Sequence, residues 1–372
     1  MPSLIPIESL AAALRRAYPE LEAVAAAGGG SAFLVGGAVR DLLLGRERAD
    51  LDISVVGDAA ALAAQLGAEL LAEHERFGTV KVHLDGHELD LATARIEVYT
   101  RPGALPTVAP AHSIEADLAR RDFTLNAIAL PLADPAALVD PNGGRADLEA
   151  GLLRVLHPDS FVDDPTRAIR AARYAARFGF ALEPATEQLL RATDLETVSA
   201  ERREAELLRL AGEESAPRGF ELLEEWGLIR LRRGGAELAA AVLRLLATPL
   251  WEGEVEPPRA VLAAALGPAG RESGLVVETP RRPSEAVALA RPHDLGTLAI
   301  ARALGADWLD DYLSIWREVS LAIDGDDLIA AGIPAGPAIG RGLEAALSAK
   351  LDGEVSGREQ ELTAALEAAR AG

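Results

Sequence analysis

The 372-residue chain has no cysteine, one methionine (Met1) and only two lysines, Lys81 and Lys350. Without cysteine there is no disulfide, no thiolate nucleophile and no Cys-ligated zinc. Histidine is scarce as well, with six in the chain. Only His83 and His87 lie four apart, and they flank a predicted Asp85-Gly86 turn rather than sharing a helix face. There is no HExxH pattern either, so a metal is expected to be held mainly by oxygen. No run of 18 apolar residues occurs. The N-terminus, with Pro2, Pro6 and Glu8, lacks the charged and apolar regions of a secretion signal. The expected location is the cytoplasm, with no membrane partner.

What is present is the composition of a soluble globular protein, 49% hydrophobic and 26% charged. This length predicts two to four domains. The net charge of −21 argues against a nucleic-acid partner, but the distribution says more than the sum. The stretch Pro165 to Ala181 carries Arg167, Arg170, Arg173 and Arg177 and no acid.

Along the chain, residues 7–27 read as one Ala/Leu-rich helix stopped by Gly28-Gly29-Gly30. A strand (32–35), a helix after Gly37, a strand (51–56) and an alanine-rich helix (58–71) follow. Residues 77–83 and 87–94 alternate like a hairpin around Asp85-Gly86. The segment 97–116, with Pro102, Gly103, Pro106 and Pro110, reads as a long loop. Residues 125–132 and 138–140 could close the sheet. From Ala146 onward helical periodicity dominates, and there is no internal repeat of fixed period.

Two features carry chemistry. The apolar run Leu34-Val35 ends in Gly36-Gly37 and leads into a helix bearing Arg40 and Asp41. Such a turn aims backbone N–H groups and a helix N-terminus at an anion. The next strand carries Asp50 and Asp52, whose i, i+2 spacing puts both carboxylates on one face. A third carboxylate, Asp90, sits mid-strand in Leu89-Asp90-Leu91, where a lone charge is costly unless paired or metal-bound. Three carboxylates from two strands can hold two Mg²⁺ or Mn²⁺ ions, a site for moving a nucleotidyl group. Each feature alone is common; their order in one chain is what points to that chemistry.

The ordered series Leu34–Asp41, Asp50–Ile53, Phe77–Val80, Arg120–Ala127 and Asp163–Arg167 resembles the class II tRNA nucleotidyltransferases. That family comprises CCA-adding, CC-adding and A-adding enzymes and bacterial poly(A) polymerases. The likeness runs from about residue 31 to 210 and resumes from Gly325 to Gly353, while 215–320 carries no motif. It implies an α+β fold: a nucleotidyltransferase head with a small mixed β-sheet and helices (1–146), followed by an all-α neck (147–215), body (216–325) and tail (326–372). It implies further that Gly36, Gly37 and Arg40 hold a triphosphate, that Asp50 and Asp52 bind metal and that Asp90 is the third catalytic carboxylate. Arg121, Asp122 and Asn126 would help bind the incoming nucleotide. Asp164 and Arg167 would read its base, with Arg170 and Arg173 beside them and Arg202 and Glu206 supporting them from a following helix. The implied substrates are CTP and ATP, and the implied partner is the 3′ end and acceptor arm of tRNA.

The base-reading stretch has its own physical logic. With Asp164 capping a helix that begins near Pro165, Arg167 lies one turn on, so both side chains can share a face. At about 100° per residue the four arginines fall within about 120° of arc, opposite Ala168, Ile169, Ala172 and Ala176. That basic face is expected to contact base and RNA backbone. Two departures from the family pattern bear on which nucleotides are added. Asp163-Asp164 stands where Glu-Asp is usual, and Tyr99-Thr100-Arg101-Pro102-Gly103 lacks the fuller Asp-x-x-Arg-Arg-Pro loop of many CCA-adding members. An A-adding or CC-adding specialist, a poly(A) polymerase and a catalytically silent RNA-binding protein are the rival readings. His293-Asp294, half of a phosphohydrolase pair, reads as an ordinary helix start.

Overall fold

The computed structural model describes residues 4–46, 51–74, 78–267 and 279–371. Its N-terminal alanine-rich stretch forms two helices, α1 (Leu10–Ala17) and α2 (Leu21–Gly28), in place of the single one expected. Tyr18 leaves the helical region (φ −141°, ψ 66°) because the ring of Pro19 disfavours a helical residue before it. Ala32-Phe33-Leu34-Val35 is buried at every position and forms β1 (Ala32–Val35). Gly36 then turns at φ 66° into α3 (Gly37–Leu43). β2 (Asp52–Val55) and α4 (Ala59–Leu66) follow, the helix capped by the Asp58 carboxylate, which accepts from the Ala60 and Ala61 amides. α4 ends at Gly67 (φ 62°), earlier than its alanine pattern suggests. Residues that pattern assigns to the helix instead open an edge strand, β3 (Glu69–His74).

β4 (Thr79–Leu84) and β5 (His87–Thr93) form the hairpin read from the sequence. Asp85 (φ 49°) and Gly86 (φ 86°) both take the left-handed conformation that a two-residue turn needs. Part of the segment expected as a loop is a ribbon. β6 (Arg95–Val98) pairs antiparallel with β7 (Thr107–Pro110) across the 99–106 connection, ahead of α5 (Ile114–Ala119). Ile96, Val98, Thr107 and Val108 supply a strand preference that the prolines hid.

The main sheet has the order β3-β4-β5-β2-β1-β8, with β8 (Ala129–Pro131) at the edge. It is mixed: β2 and β5 run parallel and pair Asp52 with Asp90 and Ile53 with Leu91. Ile53, Leu89 and Leu91 are buried on one face. Phe33, opposite Ser54, lies on the other face with Asp52, and packs with Val35 against Ile114 and Leu118 of α5.

α6 (Gly144–Ala150), β9 (Leu152–Leu153), α7 (Ser160–Asp163), α8 (Thr166–Phe178), β10 (Ala181–Leu182), α9 (Pro184–Arg191), α10 (Ala200–Ala211) and α11 (Ala216–Glu225) complete a compact unit, Met1–Ile229. In α8 the apolar face is buried as read, at Ala168, Ile169 and Ala172. The second unit, Arg230–Gly372, is helical among its described residues. Its last three helices enclose Leu328, Ile333, Ala346 and Ala365. Asp294 caps the helix Leu295–Ala303 by accepting from Thr297 N, the helix start expected there. No helix among the described residues is long and apolar enough to cross a membrane.

Candidate active site

The glycine turn, the Asp-x-Asp strand and the Arg-Arg-Asp motif meet at one point. A Cβ added at Gly36 would stand 2.8 Å from Nη1 of Arg121 and 3.9 Å from a carboxylate oxygen of Asp52. Only glycine fits there, on both φ and space. Arg121 donates to Asp117 at 2.9 Å, while its buried Nε has no hydrogen-bond partner among the described residues. Asp52 is exposed at the start of β2, and half-buried Asp90 is its register partner on the neighbouring strand, so both point to the same face. Asp50 and Phe77 lie outside the described residues. This donor set is all oxygen, which suits a hard divalent cation such as Mg²⁺.

Gly36, Asp52 and Arg121 open onto a cavity of about 750 Å³ whose walls also include Gly37, Asp164, Arg167 and Tyr99. Its floor is a chain of buried polar pairs. Arg40 donates from Nε and Nη2 to both oxygens of Asp41, each at 2.9 Å, and from Nη1 to the Asn126 carbonyl at 2.7 Å. Asn126 donates in turn to Asp122 (2.9 Å), whose other oxygen accepts from Arg170 Nε at 2.8 Å. Burial pushes the Asp122 carboxyl up, but the Arg170 guanidinium and the Asn126 amide outweigh it and hold the group at about 2. Three of the five Arg40 donors are thereby committed to protein, leaving two to face a ligand. The floor orients the glycine turn as much as it offers charge.

On the wall, Asp164 stands one residue before Pro165, the N-cap of α8, its Oδ1 accepting from Thr166 N (3.1 Å) and Oγ1 (2.6 Å). The guanidinium that pairs with it is Arg202, at 3.0 Å, not Arg167. Arg167 is 4% exposed and donates to Ser160 Oγ (2.6 Å) and to the Arg120 carbonyl (2.9 Å). Arg170 faces Asp122, and Arg173 lies between Glu206 and Glu213. Buried Glu206 also pairs with Arg209. The arginine helix therefore turns most of its charge inward onto acids, where an open basic face was expected.

The sequence reading named the Tyr99–Gly103 loop but not its contacts. Tyr99 donates to Glu97 (3.0 Å), which also pairs with Arg95 and Arg120. Burial, with help from Glu97, pushes the Tyr99 phenol up to about 12, so it stays a neutral donor. Gly103 is the second close approach. At φ 66° its Cβ would meet the Thr197 carbonyl oxygen at 2.4 Å, its N–H donates to the Val162 carbonyl, and its own carbonyl accepts from Arg202 at 2.8 Å. The Pro-Gly pair in the connection was visible in sequence; the surface it docks on was not.

Residues 32–154 match the Poly A polymerase head domain family. The chain is 44% identical over 205 residues to an A-adding tRNA nucleotidyltransferase of Halalkalibacterium halodurans, covering 52% of this chain and 48% of that protein. It is 35% identical to a CC-adding tRNA nucleotidyltransferase of Deinococcus radiodurans, covering 94% and 90%. It spans about half or less of the length of the A-adding relatives it matches. A CCA-adding enzyme in an apo form superposes with a TM-score of 0.80 at 29% identity, covering 99% of this chain and all of that one. A Thermotoga maritima CCA-adding enzyme complexed with tRNA gives 0.72 at 28%, covering 99% of each chain. With the full-length Deinococcus match, the chain belongs to the class II tRNA nucleotidyltransferase family.

Proposed function

We propose that this chain adds CCA to the 3′ end of tRNA from CTP and ATP, without a nucleic-acid template. The observation that carries the reading is the meeting of Gly36, Asp52 and Arg121 in the same cavity as Asp164 and Arg167. Backbone N–H groups at Gly36-Gly37, with Arg121 beside them, receive the triphosphate. Asp164 and Arg167 offer an acceptor and donors to the edge of C or A, and their fixed hydrogen bonds hold that pattern rigid. Tyr99 closes the same wall. In the reaction the RNA 3′-hydroxyl loses its proton and attacks the α-phosphate in line; a new phosphodiester forms and pyrophosphate leaves. Asp50, Asp52 and Asp90 would hold Mg²⁺ or Mn²⁺, which supplies Lewis-acid activation and charge neutralisation at that phosphate. The acceptor arm of tRNA as partner, the cytoplasm as location and the head, neck, body and tail boundaries belong to the same reading.

The test is Mg²⁺-dependent extension of tRNA transcripts lacking CCA, ending in C-C, or complete, with labelled CTP or ATP. Incorporation of both nucleotides, stopping at CCA, is the expected result. A second reading, a CC-only or A-only specialist, is favoured by the short 99–106 connection clamped through Gly103 and by the 94% coverage in the CC-adding match. C alone on the first transcript, or A alone on the second, would establish it. No incorporation on any transcript would remove both.

A further inference from the structure

We propose that Arg46 and Arg177, stacked on the ring of Phe178, form a binding site for backbone phosphates of the RNA strand, separate from the triphosphate turn; the proposal rests on the tRNA reading above. Phe178 ends α8 and gathers three guanidinium groups. Their central carbons lie 4.5 Å (Arg46), 4.7 Å (Arg40) and 5.4 Å (Arg177) from the ring centroid. An aromatic face attracts a guanidinium and fixes its plane while leaving its edge donors available.

The three are not equivalent. Arg40 is buried and bonded to Asp41 and Asn126. Arg177 is 39% exposed, and among the described residues it pairs with Glu213 at the long distance of 3.5 Å. Arg46 is exposed, and no carboxylate among the described residues lies within ion-pair distance of it. On a chain of net charge −21, where Arg170 and Arg173 of α8 face acids, this ring holds cationic edges toward solvent.

Position separates this place from the triphosphate. α3 has seven residues, roughly 10 Å of helix, and Arg46 lies beyond its C-terminal end while the glycine turn lies before its start. Arg40 stands between the two, with Nη2 3.4 Å from a Cβ built at Gly37 and its guanidinium against Phe178. Arg177 also lines the cavity. A strand placing its 3′-hydroxyl near Asp52 can therefore lay upstream phosphates on Arg177 and Arg46, two guanidiniums on one ring and within reach of neighbouring phosphates. Guanidinium forks suit phosphate oxygens.

The test uses the full chain and a tRNA transcript lacking CCA, with binding followed by fluorescence anisotropy between 50 and 200 mM salt and no nucleotide present. The double variant Arg46→Ala/Arg177→Ala should bind about tenfold more weakly, with a log K against log salt slope shallower by about 1.4, as expected for two lost single-strand phosphate contacts. Arg46→Lys should keep the slope. Phe178→Leu, which keeps the charges, should weaken binding with the slope retained. The KM for CTP should not change in Arg46→Ala. Unchanged tRNA affinity and slope in a double variant whose parent incorporates nucleotide would overturn this proposal alone. A raised KM for CTP with tRNA affinity intact would overturn it too, by assigning the guanidiniums to the triphosphate. A parent chain that neither binds nor extends tRNA removes the functional reading and this site together.

Discussion

Asp52 and Arg167 line the same cavity, yet their burial predicts different consequences for their removal. Asp52 is exposed at a strand end, so Asp52→Ala should leave the melting temperature nearly unchanged while lowering incorporation at saturating Mg²⁺ by more than about a hundredfold. Paired rate and melting measurements check this, and near-normal turnover would remove the metal assignment. Arg167 is buried and satisfies the Ser160 hydroxyl and the Arg120 carbonyl. Arg167→Ala should therefore cost roughly 2–3 kcal/mol of stability as well as selectivity, which denaturant melts resolve. From sequence, Asp164 and Arg167 read alike, as residues whose loss scrambles nucleotide choice more than it unfolds the protein. Only Asp164, half-buried and held by Thr166 and Arg202, still fits that description. Asp164→Asn should shift the ratio of C to A incorporated in a competition assay with little loss of stability. An unchanged ratio at measurable activity would refute the base-reading role.

Among the elements, the 99–106 connection is the one whose docking the sequence does not show. Its tip is tied down by two hydrogen bonds at Gly103, and Arg202 links that tip to Asp164 through one guanidinium. Gly103→Ala meets both an unfavourable φ and the Thr197 carbonyl, so the tip should lift, at a local cost of about 1–3 kcal/mol. Faster hydrogen exchange at the residue 103 amide would report the release, and a changed C-to-A ratio would show that the connection acts on Asp164. Unchanged exchange would mean that the loop holds by other contacts.

Across the whole molecule, acid stability follows from the buried floor. Asp122 titrates at about 2 when folded against an ordinary 3.8, so its folded pKa is depressed. Its contribution, roughly 2 kcal/mol, is fully present above 3.8 and is lost as pH falls through about 2. Urea midpoints of the parent chain should drop over that window, and the drop should shrink in Asp122→Asn. Equal pH dependence in both would place the acid-sensitive group elsewhere. Local sequence determined the glycine turn into α3, the Asp85-Gly86 hairpin, the amphipathic α8 and the family to which the chain belongs, because turn chemistry and periodicity are written in neighbouring residues. Tertiary structure decided the parallel register that stands Asp90 beside Asp52, the pairing of β6 with β7 and the identity of each guanidinium's partner. Asp164 meets Arg202 38 residues away and Asp122 meets Arg170 48 residues away. Charge sign alone cannot choose among 37 basic residues; packing brings particular pairs together, and the cost of burying an unpaired charge makes those pairings hold.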